Sequence, residues 1–201
     1  ITNIAGIVVE PLVQCAGGMK IYSHSVLDTI YKISKKYNIL LIYDEIATGF
    51  GRTGSMFAFQ QSKSRPDIIC LGKGLTAGIM TLAITATTKK IFDSFISNKK
   101  NKELMHGPTY MSNPLACSVA NASLDTFKKN NTLLKVKKIE FFFKNNLNCL
   151  KAFPFVKDIR VKGAIAVIEV NNISNKKLLW LRNEYIRKGV WVRPIRNVIY
   201  F

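Results

Sequence analysis

The chain has 201 residues, 48% of them hydrophobic, and a formal net charge of +18. That apolar content supports a packed core and excludes a largely disordered chain, while no apolar run reaches the roughly 18–20 residues that a membrane-crossing helix needs. The charge raises a nucleic-acid partner, but the lysines are spread along the chain, with small clusters such as Lys128–Lys129 and Lys137–Lys138, and no aromatic residues alternate with them as a base-stacking platform requires. Neither a nucleic-acid nor a membrane partner is expected.

Ile4 to Val9 reads as a buried strand ended by Glu10–Pro11, because it is a short apolar run without alternation. Gly17–Gly18 marks a loop. Ser23 or Ser25 caps a helix running to about Tyr37, with Val26, Leu27, Ile30, Ile33 and Tyr37 as its apolar face. Ile39 to Tyr43 is a second buried strand that stops on Asp44–Glu45. Strand, helix, strand predicts an α/β fold with a parallel sheet. A glycine-rich loop follows, Gly49 to Gly54, then a third strand from Asp67 to Leu71 that runs into Gly72–Lys73–Gly74. Thr81 to Thr87 is a fourth strand, Lys89 to Ile96 a short helix, and Ser97 to Lys102 and His106 to Thr109 are loops. Asn113–Pro114 opens another helix, and Thr132 to Leu150 is the next.

After Phe153–Pro154 the pattern changes. Val156–Lys162 and Ala164–Val170 form a hairpin at Gly163, Lys176–Lys188 a helix ended by Gly189, and Val190–Val192 a strand. The expected organisation is a parallel α/β portion over residues 1–130 and a smaller α+β portion over residues 131–201. Both ends of the chain lie in strand-like apolar runs, which predicts an internal piece of a longer protein. The cysteines at 15, 70, 117 and 149 have no metal-ligand spacing and His24 and His106 complete no cluster, so no metal site is expected; Cys70 and Cys117 read as small core hydrophobes in a reducing, cytoplasmic setting.

In open parallel sheets, ligands bind outside the carboxyl ends of the strands. Asp44 and Lys73 both arrive at that edge. A lysine amine can bond a carbonyl cofactor, and a carboxylate can hold a pyridine nitrogen protonated, which is the pair that pyridoxal phosphate chemistry uses. Each residue also has a plainer explanation: an aspartate after a strand caps the next turn, and a lysine between glycines sits in a solvated turn. The glycine loop carries no nucleotide-binding pattern, since no G-x-G-x-x-G follows a first strand and no Walker lysine follows the loop.

The run Leu41 to Gly54, followed by Pro66 to Leu75, resembles the cofactor signature of class III aminotransferases. Glu10–Gln14 with Gly17–Met19, His106–Met111 with Asn113–Cys117, and Gly189–Pro194 with Ile199–Tyr200 extend the likeness over nearly the whole chain, most loosely from about 128 to 155 and 171 to 186. The resemblance implies a fold-type I pyridoxal 5′-phosphate transferase: most of the large-domain sheet, plus part of a small C-terminal domain. It implies that Lys73 is the Schiff-base lysine and proton carrier, and that Asp44 is the partner of the pyridine nitrogen. Pro108 and Thr109 correspond to the phosphate-contacting pair, which in this family reaches across a homodimer into the other site. Gly107 corresponds to a substrate contact and Arg193 to the arginine that binds a substrate carboxylate, for which a planar guanidinium fork is well suited. Glu10 and Arg52 are near-site candidates, and Trp191 and Tyr110 are expected to pack rather than react. Other ω-aminotransferases and a non-catalytic relic are the rival readings.

Overall fold

The computed structural model describes residues 3–97, 101–192 and 194–201. In chain order the elements are β1 (Gly6–Val9), β2 (Val13–Gln14), β3 (Lys20–Ile21), α1 (His24–Lys36), β4 (Leu40–Asp44), β5 (Ile68–Leu71), β6 (Ile84–Thr87), α2 (Lys89–Asp93), α3 (Pro114–Lys129), α4 (Thr132–Leu147), β7 (Val156–Lys162), β8 (Ile165–Val170), α5 (Asn175–Arg187) and β9 (Val198–Tyr200).

The main sheet has the order β1-β4-β5-β6. β1, β4 and β5 run parallel, and β6 returns antiparallel along β5, so the sheet is mixed rather than parallel throughout. Only β4 and β5 have a strand on each side. β1 is an edge strand: Val8 is 67% exposed, against the fully buried run expected of it, because only one flank and one face are covered. β6 is exposed along its whole length.

Helix α1 begins where Ser23 accepts a hydrogen bond from the backbone N–H of Ser25 at 3.2 Å. Its inward stripe is Leu27, Ile30, Tyr31 and Ser34. Val26, Ile33 and Tyr37, expected on that stripe, are exposed. Ser34 tolerates complete burial because its hydroxyl donates to the Tyr31 carbonyl at 2.9 Å. Such a bond removes most of the penalty of burying a hydroxyl. Asn113 caps α3 and Pro114 occupies its first turn, as the sequence predicts. That helix buries Ala116 and Ala120, with Leu115 outward. Cys70 and Cys117, expected in the core, are only half-buried.

The second sheet has the order β7-β8-β9. β7 and β8 are joined at Gly163, with Lys162 opposite Ile165. Val190 to Val192 forms no strand; the third strand of this sheet is β9, antiparallel to β8. The two sheets share one hydrophobic core. Ile165, Val167 and Val198 pack with Leu12, Val13, Leu27, Leu41 and Tyr43. A second cluster, Ile168, Val170, Val192 and Ile199, sits beneath α5 and the end of α4. Among the described residues no helix is long and apolar enough to cross a membrane.

Candidate active site

A cavity of about 1040 Å³ opens at the carboxyl end of the main sheet and is walled by loops from both halves of the chain. One wall is the segment Cys15–Lys20 between β2 and β3. A second is the start of the loop after β4, including Ile46, Ala47 and Phe50. Lys73 and Gly74 form a third. Helix α3 contributes Ser123, Thr126 and Phe127, and the second sheet contributes Ile165, Glu169, Asn197 and Tyr200.

β5 stops at Leu71, and the chain turns through Gly72 into a single 3₁₀ turn, Lys73–Thr76, which packs against α3. Leu75 and Thr76 are buried and anchor the turn, leaving Lys73 exposed on the cavity wall. Lys73 has φ +44°, a left-handed backbone that a side-chain-bearing residue adopts only where its surroundings enforce it. On the neighbouring strand, Asp44 is the last residue of β4 and lies opposite Cys70 of β5. Its Oδ1 accepts the Ile46 N–H at 3.0 Å, so Asp44 does cap the following turn. Among the described residues, Oδ2 receives no hydrogen bond.

The wall is glycine-rich where backbone must come close. A Cβ on Gly49 would stand 2.8 Å from the Glu45 carbonyl oxygen, and one on Gly74 would press on Phe50 at 3.0 Å.

Glu45 holds the loop after β4 together. It is fully buried, and its carboxyl accepts from Thr48 Oγ1 at 2.8 Å, the Ala58 N–H at 2.9 Å and the Phe59 N–H at 2.8 Å. Burial raises its pKa despite these three donors. Glu10 does not line the cavity. Its carboxylate accepts the Cys15 N–H at 3.0 Å, and its carbonyl accepts the Tyr22 hydroxyl. Burial, and then the nearby Glu10 carboxylate, push the Cys15 thiol up to about 11, so that thiol stays protonated at neutral pH. Arg52 does line the cavity, and its carbonyl accepts the Ala164 N–H at 2.9 Å.

Gly107, Pro108 and Thr109 are exposed and do not line the cavity. Arg193 lies outside the described residues. Tyr110 and Trp191, expected to pack, are 81% and 73% exposed, with the Arg182 guanidinium 5.5 Å over the Trp191 ring. Sequence reasoning missed the contributions of α3 and the second sheet to the cavity, and it missed the part played by Glu45. No local signal marked Glu45, because the amides it accepts from, those of Ala58 and Phe59, lie 13 and 14 residues further along the chain.

Lys73 lines the cavity just past the end of β5, while Asp44, at the end of the adjacent β4, stands behind that lining. The family model "Aminotransferase class-III" matches residues 2–201, and the chain belongs to that family. Among curated relatives, it is 47% identical over 198 residues to the adenosylmethionine-8-amino-7-oxononanoate aminotransferase of Buchnera aphidicola subsp. Schizaphis graminum, covering 98% of this chain and 45% of that protein. The protein of the same name from Corynebacterium glutamicum is 41% identical over 198 residues, covering 98% of this chain and 46% of that one. A crystal structure of the Methanocaldococcus jannaschii protein of that name superposes with a TM-score of 0.89 at 35% identity, covering 96% of this chain and 48% of that one. An (S)-enantioselective ω-transaminase from Thermomicrobium roseum superposes at 0.92 with 32% identity, covering 98% of this chain and 46% of that one. The chain spans about half the length of the relatives it matches.

Proposed function

We propose that the protein containing this chain transfers the amino group of S-adenosylmethionine to 8-amino-7-oxononanoate through pyridoxal 5′-phosphate, giving 7,8-diaminononanoate for biotin synthesis. The observation that carries the reading is that Lys73 is exposed on the cavity wall while Asp44 ends the adjacent strand, its Oδ2 receiving no hydrogen bond among the described residues. The cofactor, when bound, supplies an electron sink for the carbanion left when the donor Cα loses its proton. Lys73 would hold the cofactor through its amine and would move the proton at the donor Cα. Asp44 would accept from the ring nitrogen and keep it protonated.

Arg193 receives the carboxylate of the oxononanoate substrate, and Gly107 touches substrate. Gly107, Pro108 and Thr109 serve the cavity of a second copy in a homodimer. Their exposure supports this, together with the large apolar side chains exposed around them, Leu104, Met105 at 91%, Tyr110 and Met111. A hydroxyl and a backbone N–H there suit phosphate oxygens. A cytoplasmic setting belongs to the same reading and agrees with four free cysteines.

In the full-length protein, Lys73→Ala should abolish the near-visible absorbance of the lysine-bound cofactor; a surviving band would sink the assignment of Lys73. A second reading, an ω-amine aminotransferase, draws support from the likeness to the Thermomicrobium roseum enzyme. A donor panel separates the two: turnover with ornithine or γ-aminobutyrate while S-adenosylmethionine stays inert would favour the second.

A further inference from the structure

The wall formed by Cys15–Lys20 is built on strained backbone. Gly18 has φ +107° and Met19 has φ +52°, two successive residues in the left-handed region. Glycine adopts this freely, but for methionine it is strained. Met19 is nonetheless buried in the core, so its side chain cannot swing out to relieve the backbone. From within, the turn is held by the Gly18 and Met19 amides, which donate to the Cys15 carbonyl at 3.2 and 3.0 Å.

The outward-facing carbonyls of this turn are met by a side chain from β7. Arg160 donates from Nε to the Met19 carbonyl at 3.2 Å and from Nη2 to the Gly18 carbonyl at 3.3 Å. The guanidinium is itself fixed: Nη1 donates to Glu169 at 2.6 Å and to Asp158 at 2.7 Å. Glu169 also accepts Lys157 Nζ at 2.7 Å, and it lines the cavity. Arg160 is therefore a planar fork set on β7 whose remaining donors grip the Gly18 and Met19 carbonyls of the cavity wall between β2 and β3. Strained backbone persists where its surroundings over-determine it. Lysine, with one mobile ammonium, cannot span both carbonyls while holding Glu169.

We propose that Arg160 is a positioning residue that shapes the substrate side of the cavity by clamping the Gly18–Met19 turn. It does not itself line the cavity. This rests on the proposed use of the Lys73 cavity, but Lys73 stands on a different loop, so loosening the clamp disturbs substrate binding more than the chemical step. Binding lost equally from ground and transition states raises KM and leaves kcat nearly unchanged.

The test uses Arg160→Met and Arg160→Lys in the full-length protein, at a temperature where circular dichroism shows both folded. Amide hydrogen exchange across residues 15–20 is the first readout. The Gly18 and Met19 amides should exchange about tenfold faster in Arg160→Met, the loss expected for one to two hydrogen bonds, and less in Arg160→Lys. Steady-state kinetics are the second: KM for the oxo acid should rise about tenfold, with kcat within about threefold and the cofactor absorbance retained. Unchanged exchange at 15–20 in both variants overturns the clamp, and faster exchange with unaltered KM overturns its role in substrate positioning. If the parent protein binds no cofactor or shows no transamination, the function reading fails instead; the exchange measurement, which needs no turnover, still decides the clamp.

Discussion

Gly163 offers a sharp test of how the second sheet is seated on the first. At this two-residue connection between β7 and β8 the backbone has φ +58°, and the glycine is buried. A Cβ placed there would collide with the Arg52 carbonyl oxygen and stand 2.6 Å from the Thr53 carbonyl carbon and 2.7 Å from the Gly54 nitrogen. All three are backbone atoms, so no side chain can rotate away. Gly163→Ala must push the hairpin off the Gly51–Gly54 loop and stretch the bond from the Ala164 N–H to the Arg52 carbonyl, now 2.9 Å. The left-handed backbone costs alanine about 1 kcal/mol. Overpacking a rigid contact adds about 1–3 kcal/mol, and a weakened hydrogen bond adds up to about 1 kcal/mol. The expected loss is about 2–5 kcal/mol, or on the order of 10 °C in Tm for a chain of this size. Gly189→Ala is the control, because Gly189 also has positive φ, +73°, but open space around its Cβ position. That variant should lose only about 1 kcal/mol. Urea unfolding of both variants provides the comparison. If Gly163→Ala proved no less stable than Gly189→Ala, the seating of the hairpin against Arg52–Gly54 would be wrong.

Three further outcomes are expected. Glu45→Ala should cost about 2–4 kcal/mol in urea unfolding, because it strands the Ala58 and Phe59 amides and the Thr48 hydroxyl in a buried site; a loss below about 1 kcal/mol would mean that water replaces the carboxyl. Lys157 first, and Arg160 second, hold the Glu169 carboxyl down at about 2. A depressed folded pKa contributes stability that is present above the ordinary carboxylate range and is lost as pH falls through it towards 2. The stability difference between pH 6 and pH 3 should therefore shrink in Glu169→Gln by about 1–2 kcal/mol after solvent screening, and an unchanged difference would refute the linkage. Asp67 receives the Leu41 N–H and Lys35 Nζ, each at 2.9 Å, tying α1 and β4 to the start of β5. Asp67→Ala should cost about 1–2 kcal/mol in urea unfolding, mostly through the backbone amide rather than the exposed lysine, so Lys35→Ala should cost less than about 0.5 kcal/mol in the same assay.

β4 and β5 were readable from sequence because an apolar run bounded by polar or glycine residues leaves few alternatives, and the ends of those strands delivered Asp44 and Lys73 to one edge. Burial was less legible. The stripe Val26–Ile33–Tyr37 and the stripe Leu27–Ile30–Ser34 both have helical spacing. The second faces inward because Ser34 satisfies its own hydroxyl, which hydrophobicity alone does not register. Val8 looked like core because strand composition does not say where the sheet ends. β2 and β3, two residues each, are too short for any periodicity to detect. The cavity was half-legible. Its near walls carry local glycine signals, whereas Glu169, Asn197 and the Arg160 fork arrive from the other end of the chain, and no local pattern reports a contact of that range.

The mixed membership of the main core also governs when it can form. Tyr43 and Ile165 are neighbours there, yet the whole stretch from Asp44 to Ala164 separates them along the chain. Contacts of that separation form late, since loop closure must precede their reward. During synthesis at roughly 5–20 residues per second, Leu41 and Tyr43 emerge on the order of ten seconds before the strand that covers them. For that interval only Leu12, Val13, Leu27 and their neighbours can pack with the β4 side chains, and the part of the core that β8 and β9 supply is still missing.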